Sequence, residues 1–445
     1  MKMDKKNYCA LALLATALTT TSILNAQTTA HSWGANDFGQ LGDGTTIPRA
    51  TPMPVLPGAV AVANGGHHGL ALKADGTVWA WGDNAFGQLG NGTTNSSLSP
   101  IQVPDLGGIV AIAAGDSHSL ALGSNSVIFA WGNNSWGQLG DGTTTRRLLP
   151  TLVRDVVVRT VSPGGVVVSV NGVTSFGGVA AIAAGAYHSL ALKGDLPGGG
   201  GLGGYQVLSW GDNRYGQLGD GTMTGKLVPT SVVSDNGIAS HGISNIAAGA
   251  HHSLALKKNG GVVAYGYNRY GQLGDGTTIT RLVPTRVASI GGATGVASLG
   301  GAVHVAAGAH HSLAVVTGNN RNFTVAAWGY NRYGQLGDGT TIQKAFPVRI
   351  AVSSVSGVPS FGGIPTPVAV AGGGYHSLAV HEGVISAWGY NGYGQLGDGS
   401  TINRSVPIRV ANLSRVVSNT GINGTASRNG VIAGGLSHSS AVQRN

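Results

Sequence analysis

Glutamate is almost missing from this chain. Glu382 is the one copy in 445 residues, and charged residues of both signs make up 10%, against about 25% in an ordinary soluble domain. Carboxylates for acid–base work are therefore scarce. Outside a recurrent G-D-G turn the main ones are Asp105, Asp155, Asp195, Asp235 and Glu382, scattered over different repeats. Cysteine is confined to Cys9, which excludes a disulfide framework and a thiolate metal site from the rest of the chain. Past residue 26 no apolar run is long enough to span a bilayer. Phosphate-loop, H-E-x-x-H and nucleophile-elbow patterns are absent, and "GGGGLGG" has no helix pattern after it to cradle a phosphate. No Lys/Arg cluster of the nucleic-acid kind is present, so nucleic acid is not an expected partner.

What is abundant is glycine, 76 residues, with an apolar share of 42%. Such a chain is rich in turns and still able to build a core. Residues 1–26 read as an export signal: Lys2, Lys5 and Lys6, then "CALALLATALTTTSIL", then a small residue at Ala26 before the expected cut. Cleavage there takes away three Lys and one Asp and leaves 23 basic and 16 acidic residues, a net charge of +7. The expected product is an exported protein, destined for periplasm, cell surface or medium, with no transmembrane segment in its mature form.

Two signatures alternate along residues 27–445. W-G-x-N-x-aromatic-G-Q-L-G-(D/N)-G begins at Trp33, Trp81, Trp131, Trp210, Tyr265, Trp328 and Trp388. A-A-G-x-x-H-S-L-A-L places its histidine at His68, His118, His188, His252, His311, His376 and His438. The first W-G element has no histidine element before it, and the last histidine element, "AGGLSHSSAVQRN", has no W-G after it. The two ends are halves of one unit, which makes sense if they meet and remove each other's exposed edges. Short β-favouring runs such as "HSLALK" and "VWAWG" are separated by Gly or Asp-Gly, as at Asp75-Gly76, the pattern of antiparallel hairpins. The pattern predicts one all-β domain, a seven-bladed β-propeller of four-stranded antiparallel blades, its ring closed by the N-terminal strand joining the last blade. Length differences fall in insertions, chiefly Arg154 to Gly178, Gly194 to Gln206 and Ser353 to Thr366.

A residue present once per blade serves the scaffold, because a catalytic centre needs one asymmetric constellation. The tryptophan-position rings are expected between neighbouring sheets, and the glycines of G-Q-L-G-D-G in tight connections. The seven histidines lack a carboxylate or cysteine at ligand spacing and read as structural; the doublets at His67-His68, His251-His252 and His310-His311 add one imidazole each. Each G-D-G-T offers a single carboxylate, too few for calcium. No metal and no cofactor are expected.

The alternating signatures resemble the repeats of the regulator of chromosome condensation family, from Trp33 to about Val442. The resemblance implies the same closed seven-bladed propeller. It carries function less far. The family includes a nuclear exchange factor for a small GTPase, plant photoreceptors and a secreted bacterial β-lactamase inhibitor. The photoreceptors' G-W-R-H-T motif is replaced here by "GDSHS", "GAYHS" and "GAHHS".

Asymmetry between repeats locates the candidate site. Within W-G-x-N-x-aromatic, tyrosine and arginine accumulate on four consecutive blades: Arg214 and Tyr215; Tyr267, Arg269 and Tyr270; Tyr330, Arg332 and Tyr333; Tyr390 and Tyr393. Tyr and Arg dominate binding hot spots, and these positions belong to one type of connection and so to one rim. The expected function is that of a monomeric, non-enzymatic binding scaffold whose partner is a protein or an anionic glycan. Alternatives are a duplicated turn whose arginines are merely solvated, a propeller hydrolase or lyase acting on polysaccharide, and an exchange-factor-like regulator.

Overall fold

The computed structural model describes residues 28–154, 178–194, 205–233, 242–292, 299–317, 323–351, 369–417 and 431–445. The export-signal segment, most of the insertions, and Asp155, Asp195 and Asp235 lie outside the described residues.

Each repeat folds into four antiparallel strands, and the fourth blade shows why. Ile243–Ala248, His252–Lys257 and Val262–Gly266 are short, largely apolar runs, buried along nearly their whole length because neighbouring blades cover both faces. The outermost strand, Arg281–Arg286, is half exposed and carries Pro284. A proline recurs there in other blades, at Pro100, Pro150, Pro229, Pro347 and Pro407. Proline lacks the N–H that an edge would offer another chain, so each blade's free edge is blunted. Between strands the turns are those the sequence suggests: Gly76 adopts φ +81° after Asp75, whose carboxylate accepts from the Thr77 N–H at 2.9 Å.

The first six blades span Ala59–Gln102, Ile109–Leu152, Val179–Ser231, Ile243–Arg286, Ala302–Arg349 and Ala369–Arg409. The seventh joins the two ends of the chain. Strand Thr28–Gly34 pairs with His438–Arg444 at seven positions, from Thr28 opposite Arg444 to Gly34 opposite His438, and Arg49–Pro57 and Ile432–Gly434 flank them. The innermost strand of every blade touches that of the next, and Ile432–Gly434 touches Ala59–Asn64, so the contacts run round the full circle. One departure from separate four-stranded sheets is a single ladder pair, Tyr205 opposite Ile243, which links the third and fourth blades into an eight-stranded sheet. Among the described residues no helix is long and apolar enough to cross a membrane.

The core lies between blades. Trp33, Trp81, Trp131, Trp210, Tyr265, Trp328 and Trp388 are fully buried, and the six indoles donate to the backbone carbonyl of the Gln in the preceding W-G loop, for example Trp328 Nε1 to Gln272 O at 2.9 Å. The seven repeat histidines are also fully buried. Six place Nε2 at 2.8–3.0 Å from a serine hydroxyl of the next blade, from His68 with Ser119 to His376 with Ser439. Each of those serines gives its own proton to a Gln carbonyl, as Ser312 does to Gln272 at 2.8 Å. The hydroxyl must then accept from the imidazole, which fixes the neutral tautomer protonated at Nε2. The seventh link is interrupted: the place of the serine facing His438 is taken by Gly69, whose missing Cβ leaves room for the Trp81 ring.

Candidate binding face

The W-G-x-N loops are set by the backbone before any ligand is considered. Gly266, at φ +105°, turns the chain at the strand end, where a Cβ would meet the His251 carbonyl and the Gln217 Cα. Asn268 then staples the loop. Its amide donates to Asp275 Oδ1, Thr277 O and Ile279 O at 3.0–3.2 Å, and its Oδ1 accepts from Leu273 N at 2.9 Å. The carboxylate of the G-D-G turn is consumed locally, Asp275 by Thr277 and Arg281 and Asp141 by Thr143 and Arg147. Burial pushes Asp141 up, but those hydrogen bonds outweigh it and hold the carboxyl below its ordinary value. Replacing the buried Asn331, equivalent to Asn268, with Ala removes four such bonds and strands backbone groups. The expected cost is about 3 kcal/mol, read as a fall in the urea midpoint; an unchanged midpoint would contradict the staple.

A loop held this way projects its variable residues onto one face. The backbone N–H of the residue after W-G bonds the carbonyl of the residue before each core histidine: Asp212 to Tyr187, Tyr267 to His251, Tyr330 to His310 and Tyr390 to Tyr375, each at 2.9 Å. The arc of loop tyrosines thereby acquires an inner rank. Along the arc the ring centroids of Tyr215, Tyr267, Tyr270, Tyr330, Tyr333, Tyr390 and Tyr393 follow one another at 4.9, 6.1, 4.8, 6.3, 4.9 and 6.2 Å. His251 lies 5.2 Å from Tyr215, His310 lies 5.5 Å from Tyr270, and Tyr375 lies 5.6 Å from Tyr333.

The structure thus brings together all the tyrosines expected from the sequence, joins to them His251 and His310 of the histidine doublets, and adds Tyr187 and Tyr375, which motif reading missed. The signal was present in the place before the core histidine, which reads His67, Ser117, Tyr187, His251, His310, Tyr375 and Ser437 and is aromatic on the same blades. The arginines are not equivalent. Arg269 and Arg332 are exposed, each hydrogen-bonded to the tyrosine two places before it. Arg214 instead clamps the fully buried Asp212 carboxylate at 2.9 and 3.1 Å and stacks on Trp136 at 3.9 Å. It closes the arc rather than extending its free charge.

At the outer end of the same loops Ile47, Ile279, Ile342 and Ile402 are 58–64% exposed, where the other blades carry Asn95, Thr145 and Thr224. Apolar side chains therefore border the aromatic arc. The remaining blades keep single exposed aromatics, Phe38, Phe86 and Trp136, and add carboxylates: Asp116, raised by burial, hydrogen-bonds Tyr187 and faces His67 and Asp83. Burial lowers His251, and pushes His310 down to about 4, so neither ring is charged at neutral pH.

On the axis an opening of about 120 Å³ is lined by the A-A-G-x turns of all seven blades, and among its described lining residues Asp116 is the one carboxylate. Asp105 and Glu382 sit at positive φ in turns. Among the described residues no three His, Asp or Glu side chains gather as a metal site.

Blades of this construction, tied by indole and imidazole bonds to their neighbours, define a repeat β-propeller. The model of the RCC1-like domain matches residues 15–363, and that of the regulator of chromosome condensation (RCC1) repeat matches residues 382–420. The chain belongs to the RCC1-like family. It is 33% identical over 206 residues to the ultraviolet-B receptor UVR8 of Arabidopsis thaliana, 46% of this chain and 42% of the receptor. It is also 33% identical over 230 residues to the probable E3 ubiquitin-protein ligase HERC4 of Homo sapiens, 52% of this chain and 19% of the ligase. The chain thus spans less than half the length of these relatives. Among solved structures, human WBSCR16 superposes with a TM-score of 0.69 at 24% identity, over 94% of this chain and 99% of that one. Prp20p of Saccharomyces cerevisiae, which binds Gsp1p and histones, gives 0.66 at 23%, over 94% and 92%. These two likenesses are of fold.

Proposed function

We propose that the protein is an exported, non-enzymatic binding scaffold that presents the W-G loop face of its propeller to a partner protein. The observation that carries this reading is the unbroken run of seven tyrosines in ring contact across four blades, bordered by exposed isoleucines. Aromatic side chains held by a rigid loop lose little conformational entropy on binding and bury much area, which is what hot spots require. The basic and apolar start of the chain supports export. Among the described residues a single carboxylate lines the axial opening, not the carboxylate pair that glycoside hydrolysis uses, which favours binding over catalysis.

The test is capture from envelope and culture medium on immobilised protein, with the partner identified by mass. Two hot-spot tyrosines lost together, Tyr270→Ala with Tyr333→Ala, are expected to reduce retention of that partner by about 30-fold or more. Equal retention by wild type and variant rules the face out. Retention of acidic polysaccharide in place of protein, lost with Arg269→Ala and Arg332→Ala, would instead favour an anionic glycan.

A further inference from the structure

We infer that the tyrosine ladder is a track for an extended polyproline II segment of the partner protein, one that carries an acidic side chain about once per turn. The inference rests on the reading of this face as a protein-binding surface and specifies its chemistry.

From Tyr267 onward the ladder is periodic, two rings per blade, and Tyr215 of the preceding blade begins it. Steps within a blade are 6.1–6.3 Å and steps between blades 4.8–4.9 Å. Two such legs reach up to about 11 Å from one blade to the next, enough for one polyproline II turn of about 9 Å. A straight ligand with that period can span the equivalent ring pairs of two adjacent blades, beyond which the arc turns away round the circle.

The tilt of the rings selects among periodic ligands. Consecutive planes meet at 52–78°, so the track is a row of slots between edges and faces, not a flat platform. Slots of this kind take proline rings, whose helix is already extended and loses little entropy on docking. Polyproline II leaves its carbonyls without internal hydrogen bonds, and phenol hydroxyls are available along the whole track to donate to them.

Charge sets the remaining requirement. Arg269 and Arg332 occupy the same place on adjacent blades and are exposed. The carboxylates of these loops, Asp275, Asp338 and Asp398, are turned away onto Arg281, Lys344 and Arg404. The track is therefore neutral to cationic along its length, with one exposed guanidinium on each of its two middle blades, hydrogen-bonded to a tyrosine and, among the described residues, held by no carboxylate. An acidic side chain once per turn falls opposite each of them.

The experiment is fluorescence anisotropy with labelled peptides of about twelve residues, or four turns: (Pro-Pro-Glu)4, its uncharged counterpart (Pro-Pro-Gln)4, and (Gly-Ser-Glu)4, which keeps the charge and loses the helix. The expected result is saturable binding of the first, about tenfold weaker binding of the second, and no saturation by the third. Arg269→Ala with Arg332→Ala should erase the difference between the first two. Tyr270→Ala with Tyr333→Ala, checked for a wild-type circular dichroism spectrum, should abolish both. Equal binding of (Gly-Ser-Glu)4 and (Pro-Pro-Glu)4 would overturn the proposal, as would binding of polygalacturonate alone, or concentration-dependent self-association that hides the face while no peptide binds. If partner capture depends on Tyr270 and Tyr333 but no proline peptide binds, the polyproline chemistry fails and the binding face stands. If capture is also indifferent to them, both fail.

Discussion

Lowering the pH from about 7.5 to about 5 is expected to unfold the propeller. Burial pushes His68, His118, His188, His311 and His438 down to about 3, His376 to about 4 and His252 well below 6.5. In the unfolded chain the same side chains titrate near 6.5. Between the two values the unfolded state holds more protons than the folded one, so stability is complete above about pH 6.5 and declines as pH falls. Each histidine removes up to about 1.4 kcal/mol per pH unit in that window. Seven acting together remove on the order of 10 kcal/mol in the first unit, comparable with the whole stability of a typical domain. The lowered carboxyls Asp43, Asp141, Asp220 and Asp398 add a loss of the same sign only at more acid pH, below 3.8. Thermal midpoints by circular dichroism across the range should drop steeply below pH 6.5, with proton uptake on unfolding. A flat midpoint down to pH 5 would show that the imidazoles are not held neutral by burial.

The Nε2-protonated tautomer gives this sensitivity its structural origin. Protonating His311 at Nδ1 places a charge between blades, beside a serine whose only proton is already given to Gln335. Among the described residues no hydroxyl or carboxylate is bonded to that Nδ1 to compensate it. The bond from Nε2–H to the serine survives that protonation; what fails in acid is the burial of an uncompensated charge between blades.

Much of this was legible in the sequence. Two alternating motifs, each cut at a different end, require the chain's extremities to complete one unit, and the recurrence of Trp33 and its equivalents marks them as core. Less legible were relations across blades. The serine after each histidine reads as an ordinary strand residue, and that Ser312 is the partner of His252 depends on a register 60 residues apart. Tyr187 and Tyr375 were missed for the same reason: they belong to one motif and the tyrosines they touch belong to the other, and only the backbone bond between the two turns brings them together. Arg214 looks identical to Arg269 in its motif. What separates them is Asp212, which stands where the later blades have tyrosine, so one substitution two places away converts an exposed cation bonded to a phenol into a carboxylate clamp.

Deleting Thr28–Gly34 is expected to abolish cooperative folding, although it removes one strand of many. That strand pairs with His438–Arg444 on one side and Arg49–Pro57 on the other. Its side chains serve two interfaces at once: Trp33 packs with Leu396, Val410 and Ile432 between the sixth and seventh blades, and Ala30 with Trp81 and Val62 between the seventh and the first. Trp33→Ala alone should cost about 3 to 5 kcal/mol through the cavity it leaves. The deletion adds the loss of both ladders and opens the circle, leaving His438–Arg444 as an unprotected edge. A synthetic peptide spanning the missing strand should restore a folded spectrum by adding to that edge, as extended peptides do on open sheets. Rescue by the peptide, and not by a version carrying Ala at Trp33, would show that the two extremities stabilise the ring by docking together. A truncated protein with an unchanged melting curve would show that the ring does not depend on their docking.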